Sequence, residues 1–221
     1  MLRFFAIATL IALAATACSD DSASGELTPA RPGDEIPGSV VSSFAPEGTE
    51  RVAVIGLSQG ETLPLYAMPG TLVVAEIPST ADDLFGFGES FQTDDGQLWW
   101  LVRWESEQGW IVPGAAFVSP TDDVSARIAG SLENSRYDSL DALLNEVAVI
   151  YGNADFALVS QSQPDGAGSV TSVIDVLRDD LVIAGQRVEV ITVDDGDGVR
   201  LTAANQSWLC NRGIADGACA G

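Results

Sequence analysis

The chain has 221 residues, with 10 basic and 32 acidic side chains, so its formal net charge at pH 7 is −22. All of the basic residues are arginine, and they are scattered along the chain. Nucleic-acid binding needs clustered cationic side chains, so this composition excludes nucleic acid as a partner and disfavours electrostatic attachment to an anionic membrane. Histidine is absent as well, which removes the usual catalytic base at neutral pH.

The N-terminal residues form the pattern of a secretory signal. Arg3 is followed by an uninterrupted run of apolar or small residues over 4–17. The run is shorter than the roughly 20 residues that a membrane-spanning helix needs. We therefore predict a signal peptide over residues 1–17, which is excluded from the folded part of the protein.

The end of this signal, 15-ATAC-18, resembles the lipobox of bacterial lipoproteins, with Ala15 in place of the usual leucine. The resemblance implies cleavage before Cys18 and lipidation of its thiol with acyl chains such as palmitate. The protein would then be exported and anchored by lipid to the outer side of the cell membrane. Ordinary signal cleavage that leaves Cys18 unmodified is the alternative.

Residues 18–48 are rich in serine, proline, glycine and acidic side chains and have no helical or strand period. This composition predicts a flexible linker between the anchor and the folded part. At the other end of the chain, Cys210 and Cys219 lie close in sequence. Outside the cytoplasm such a pair predicts a disulfide, and a metal site with two thiolates and no histidine is the less favoured alternative.

Residues 49–120 contain short apolar runs separated by Gly, Pro and Asp turn signals, which predict a small all-β barrel. The expected strands cover residues 52–57, 62–67, 72–77, 98–104 and 110–112.

Three short stretches in this region are similar to the sequence signatures of a known family. The stretches 63-LPLYAMPG-70, 99-WWLV-102 and 109-GWI-111 resemble the signatures of the bacterial SH3-like (SH3b) domain. Pro64 and Tyr66 replace the Asn and Arg of the family pattern. The resemblance implies an SH3-like barrel that serves attachment or recognition in the cell envelope, often of peptidoglycan or peptide.

The tryptophans of the barrel are expected to divide between two faces of one strand. Alternation places Trp100 and Val102 on one face and Trp99 and Leu101 on the other. The family pattern implies that Trp100 points into the core and that Trp99 faces a ligand groove, with Tyr66 beside it. Packing of Trp99 in the core or against the rest of the chain is the alternative.

Residues 121–221 are predicted to form an α+β module with one amphipathic helix on an antiparallel sheet. The helix is expected over 137–152, with Asp138 or Ser139 as its N-cap. Strands are expected at 155–160, 170–177, 186–193 and 198–205, the last two joined by the turn 194-DDGDG-198. The cysteine-containing C-terminus resembles modules of uncharacterised actinobacterial envelope proteins.

No residue pattern indicates a reaction or a cofactor. The turn 194-DDGDG-198 has three carboxylates but lacks the distal Glu of an EF-hand loop, so we interpret it as a hairpin turn rather than a metal site. No nucleophile motif or phosphate loop is present, although a pair of acidic residues for glycoside cleavage stays open. The sequence therefore predicts a non-catalytic envelope lipoprotein that binds a cell-wall component or an extracellular polypeptide, through the barrel or the cleft between modules. The alternative is a structural or assembly partner in which the barrel is a spacer and residues 121–221 make the functional contact.

Overall fold

The computed structural model describes residues 37–41, 45–48 and 50–220. The predicted signal peptide, Cys18 and most of the predicted linker lie outside the described residues. The described chain consists mostly of antiparallel β-sheets with two short helices, and 49% of it is strand. Neither of these helices has the length and apolar character needed to cross a bilayer.

The first half of the chain builds a six-stranded sheet. The strands of this half are β1 (Gly38–Val40), β2 (Val52–Val54), β3 (Thr62–Tyr66), β4 (Val73–Pro78), β5 (Phe85–Thr93), β6 (Leu98–Trp104), β7 (Glu107–Ile111) and β8 (Ala115–Val118). The order in the sheet is β1-β5-β6-β7-β3-β4, so β1 and β4 are its edges and, within the described residues, it does not close into a barrel. The predicted all-β character of this half is borne out, whereas the SH3-like small barrel is not confirmed, because these strands form an open antiparallel sheet.

All five predicted strands of this half are present, and three further strands appear. Strand β1 consists of residues that the sequence assigned to the linker, and it pairs with β5. Strand β5 was missed because Gly86 and Gly88 interrupt its apolar alternation. Gly86 is needed there, since a β-carbon would lie 2.0 Å from the carbonyl oxygen of Pro46. The third unpredicted strand is β8, where small residues interrupt the pattern.

The second half forms a seven-stranded sheet with both helices on one face. Its elements are β9 (Asp122–Asp123), α1 (Ser125–Ser131), α2 (Leu140–Ile150), β10 (Ala157–Gln161), β11 (Ser169–Leu177), β12 (Ile183–Asp194) and β13 (Val199–Cys210), followed by β14 (Ile214–Ala215) and β15 (Ala218–Cys219). The main order is β10-β11-β12-β13-β8-β2, with β9 paired to β13, and β14 and β15 form a separate hairpin. The four predicted strands and the turn over 194–198 are confirmed.

The predicted helix is confirmed as α2, and α1 is an additional short helix. The Ser139 hydroxyl accepts a hydrogen bond from the Ala142 amide at 3.2 Å, as expected for an N-cap. The buried face of α2, which includes Leu143 and Val147, packs in one cluster with Ile174 of the sheet. The spacing of apolar residues was sufficient to identify this face.

Cys210 and Cys219 lie at disulfide distance, with their α-carbons 5.2 Å apart. The predicted pairing is confirmed. It ties the end of β13 to the short C-terminal hairpin of β14 and β15.

The two halves share strands across the predicted boundary at residue 120. Val118 in β8 pairs with Leu209 in β13, and Val52 in β2 pairs with Phe117. Strands β2 and β8 thus extend the second sheet while they belong in sequence to the first half. Their side chains, including Val52 and Phe117, also enter the core that contains Trp100. Strand β13 contributes to both main cores, with Cys210 in this one and Ala204 in the core under the helices.

The first half also contacts the opposite edge of the second sheet. The Gln59 amide donates to the Leu158 carbonyl of β10 at 2.6 Å, and the Ser79 hydroxyl donates to the Val159 carbonyl at 3.3 Å. The first half thus supplies one edge strand of the second sheet, β2, and contacts the other, β10. Between these residues of the first half and the helix-free face of the second sheet lies an open space.

Candidate functional site

Trp99 and Trp100 lie on opposite faces of β6, as the alternation predicts. Trp100 packs in the first core, whereas Trp99 packs with Phe91, Leu101 and Trp110 in a separate aromatic cluster. Trp99 does not line an open groove, because only 6% of it is exposed, in agreement with the alternative that it packs in a core. The second face of this sheet is also covered, which strand alternation could not reveal.

Tyr66 lies beside Trp99, as the sequence predicts. The two rings meet edge to face with their centroids 5.4 Å apart. The turn at Gly70 approaches the indole, since a β-carbon at that position would lie 3.9 Å from Cζ2 of Trp99. Gly70 has φ +72°, a conformation that favours glycine. The indole of Trp99 therefore packs against the turn. Tyr66 is half-buried and is the more accessible of the two aromatic residues.

The hairpin between β3 and β4 presents apolar side chains to solvent. Met68 is 41% exposed, Leu72 52% and Val73 41%. No charged residue occurs between Glu61 and Glu76, in a chain of strong acidic excess. We call residues 66–73 the apolar hairpin. Contiguous exposed apolar side chains on a soluble surface are typical of an interaction site.

Strand β4, which leaves the apolar hairpin, has an open backbone edge. It pairs with β3 on one side and is the last strand of its sheet within the described residues. Its single charged residue, Glu76, accepts a hydrogen bond from the Thr62 hydroxyl at 2.6 Å. An uncovered edge strand offers unpaired amides and carbonyls to a further extended chain.

A second candidate site lies between the two halves, over the helix-free face of the second sheet. This space, which we call the polar cleft, has a volume of about 270 Å³. Its walls include Arg51 and Asp82 from the first half and Ser160, Glu189 and Asn205 from the second. Most of the residues that line it carry a hydroxyl, amide or charged group, and valines fill the spaces between them, so the polar cleft differs in chemistry from the apolar hairpin.

One wall of the polar cleft rests on a buried ion pair. Asp175 is fully buried and accepts two hydrogen bonds from Arg187, from Nε at 2.7 Å and from Nη2 at 2.8 Å. Arg187 Nη2 also donates to the Val54 carbonyl at 2.6 Å, and the Gly56 amide donates to Asp175 at 3.2 Å. The pair therefore links β11 and β12 to β2, the edge strand of the same sheet, and fixes the position of the cleft wall.

Sequence reasoning missed the polar cleft, although a signal was present. Arg187 and Glu189 alternate with valines in β12, and Asp175 interrupts an apolar run in β11. Such alternation predicts one polar face on the sheet. The meeting of this face with Arg51 and Asp82 depends on strand order and could not be derived from the sequence.

The acidic turn after β12 is occupied by internal contacts. Asp195 accepts a hydrogen bond from Arg136, and this bond lowers the pKa of the Asp195 carboxyl. The Gly196 amide donates to Asp194 at 2.9 Å. Among the described residues no group of three or more His, Cys, Asp or Glu converges as a metal site would. The turn therefore has a structural explanation.

A polar cluster under the helices was also not predicted. The Tyr151 hydroxyl donates to Gln206 Oε1 at 3.0 Å and accepts from Arg127 Nη2 at 2.7 Å. Burial raises the pKa of Tyr151, which keeps its hydroxyl protonated as the donor. The cluster joins α1 and α2 to β13, and we assign it a structural role.

Comparison with protein-family models, with curated proteins and with solved structures found no match to this chain. The candidate sites therefore have to be interpreted from their own geometry.

Proposed function

We propose that the protein is a lipid-anchored cell-envelope protein that binds an extended polypeptide through its apolar hairpin and the open edge of β4. The proposed role is non-catalytic. The observation that carries it is the combination of exposed Met68, Leu72 and Val73 with the edge of β4, which starts at Val73 and has no strand against its outer side among the described residues.

The strand edge and the side chains would contribute different parts of the binding energy. Backbone hydrogen bonds along β4 would hold a partner strand without regard to its sequence. Alternate side chains of that strand would reach Leu72 and Tyr66, and rigid aromatic rings bury area at a low entropic cost. Trp99 would hold the floor of the site and make no direct contact with the partner.

The chemistry of the partner follows from the charge of the chain. A net charge of −22 attracts cationic partners over long range, whereas the apolar hairpin itself is uncharged. The segment that fits is an extended stretch with apolar side chains on one face and basic residues on the other. An acidic or strongly glycosylated segment would be repelled or obstructed.

The SH3-like and envelope assignments are part of the same proposal. An SH3-like relationship is supported by the order of the β3–β4 hairpin and the β5-β6-β7 meander, with Tyr66 against Trp99. Export is supported by the Cys210–Cys219 pair, since disulfides persist outside the cytoplasm. Lipidation rests on Cys18, which lies outside the described residues.

Site-specific photo-crosslinking in producing cells tests the recognition site. A photoreactive amino acid at position 72 should give discrete covalent adducts that mass spectrometry identifies as polypeptide. The matched control carries the same amino acid at Leu181, which is 79% exposed and distant in sequence from the hairpin. Adducts with lipid or glycan at position 72, or equal adducts at both positions, would contradict the proposal.

The same experiment separates the proposed role from that of a spacer. If residues 121–221 made the functional contact, polypeptide adducts would form from the second half and position 72 would give none. A Cys18→Ser variant tests the anchor independently. It should move the protein from the membrane fraction to the soluble fraction, whereas a Cys219→Ser variant should stay in the membrane fraction.

A further inference from the structure

We propose that the polar cleft binds the primary ammonium group of a small organic molecule, with the carboxylate of Glu189 as its main partner. This site is separate from the apolar hairpin, and the proposal does not depend on polypeptide binding there.

The charges around the polar cleft leave one carboxylate without a counter-ion. Arg187 is paired with Asp175, and Arg51 is paired with Asp82. Glu189 forms no ion pair with any described residue. Its Oε2 accepts a hydrogen bond from the Asn205 side chain at 2.8 Å, which orients the carboxylate and leaves Oε1 available.

Two other polar side chains lie on the same sheet face as Glu189. In the sheet register Val173 pairs with both Ser160 and Glu189, and Glu189 pairs with Asn205. Paired residues point to the same face, so the three polar side chains form a row across the helix-free face. Within the described part of the chain, no hydrogen bond occupies Glu189 Oε1, Asn205 Oδ1 or the Ser160 hydroxyl. A primary ammonium group has three N–H donors, so one held by Glu189 Oε1 can donate to a neighbouring acceptor as well. Ser160 lies two strands from Glu189, about 9–10 Å across Val173, so its hydroxyl would meet another polar group of the same molecule.

Other ligand classes fit the polar cleft less well. An anion would meet the unpaired Glu189, and Arg187 already commits Nε and Nη2 to Asp175 and Val54. A metal ion usually needs several ligating residues that converge, and among the described residues such a group is absent. The field of a chain with net charge −22 also favours cations over neutral molecules.

The size of the polar cleft limits the ligand. The volume of about 270 Å³ lies just below the roughly 300–1,000 Å³ that is typical of pockets for drug-sized ligands. This space holds an ammonium group with a short carbon chain or a single sugar ring.

Calorimetric titration of the purified full chain tests the proposal with defined probes. Putrescine represents an aliphatic amine, and glucosamine represents an amino sugar. Butanediol and glucose are their uncharged counterparts, and tetramethylammonium is a cation without N–H donors. We expect binding of one or both primary amines, with no binding of the other three compounds. The amine that binds more tightly shows whether the ligand is an aliphatic amine or an amino sugar.

Matched variants assign the binding to the polar cleft. Glu189→Gln keeps the size of the side chain and should weaken amine binding by about tenfold or more, as expected for loss of a charged hydrogen bond. Glu107→Gln removes the same charge from an exposed position in β7 and should leave the affinity unchanged. If Glu189→Gln does not fold, Ser160→Val decides, because its added methyl groups narrow the cleft and should also abolish binding.

Three results would overturn the proposal. The first is no binding of either amine at low salt. The second is equal binding of tetramethylammonium, which would indicate attraction by the overall charge alone. The third is unchanged amine affinity in the Glu189→Gln protein, or in Ser160→Val where that variant replaces it.

Discussion

The apolar hairpin and the polar cleft are built in opposite ways. The hairpin consists of residues that are neighbours in sequence, and Met68 and Leu72 at its tip are largely exposed. The cleft draws its walls from strands in both halves of the chain and rests on the buried pair of Asp175 and Arg187. Substitutions at the hairpin should therefore alter binding without affecting the fold, whereas changes under the cleft should affect the fold itself.

The largest effect is expected for Asp175→Ala. This change leaves Arg187 without a counter-charge in a buried position, which costs about 3–5 kcal/mol of the free energy of unfolding. Denaturant titration measures the loss. The matched control is Asp82→Ala, because the Arg51–Asp82 pair is half-exposed and such pairs contribute at most about 1 kcal/mol. Equal losses in the two variants would show that the buried pair does not hold the cleft wall.

The second-largest loss of stability is expected at the end of β13, the strand that carries the cleft residue Asn205. Cys219→Ser removes the disulfide to Cys210 across a sequence separation of 9 residues. The chain-entropy description gives a loss of about 2–3 kcal/mol for such a loop. A reductant should lower the stability of the unaltered protein by a similar amount and leave the variant unchanged. Sensitivity of the variant to reductant would contradict this assignment.

A smaller effect is expected at the helix behind the cleft sheet. Ser139→Ala removes the side-chain acceptor for the Ala142 amide and should cost about 1 kcal/mol. Ser106→Ala, in the exposed turn between β6 and β7, provides the control and should have no measurable effect. Thermal unfolding followed by circular dichroism distinguishes the two variants. A loss at position 106 as large as that at 139 would remove the cap explanation.

The smallest effect on stability is expected at the apolar hairpin. Met68→Ser and Leu72→Ser replace exposed side chains and should change the free energy of unfolding by less than about 0.5 kcal/mol. Denaturant titration checks each variant against the unaltered protein. Substantial destabilisation would mean that these side chains support the aromatic cluster rather than offer a binding surface.

The two regions also differ in how far the sequence predicted them. Local signals identified α2, the turn over 194–198 and the Tyr66–Trp99 contact, because each depends on neighbouring residues or a known motif. They narrowed the helix cap to Asp138 or Ser139, and the structure shows Ser139. Alternation separated Trp99 from Trp100 correctly. The family pattern placed Trp99 towards a groove although its side chain is buried, since burial depends on what covers a face. The sharing of β2 and β8, and with it the polar cleft, depends on long-range strand order that no local pattern encodes.

Amide hydrogen exchange of the apolar hairpin tests the central claim most directly. The probe is a synthetic peptide of alternating valine and lysine, with a valine–glutamate peptide and the Leu72→Ser protein as controls. We expect the valine–lysine peptide to slow exchange in β4 of the unaltered protein, with little change in β12 and β13 at the cleft. Unchanged exchange in β4, or equal protection by the valine–glutamate peptide or in the Leu72→Ser protein, would contradict recognition of a polypeptide by this edge.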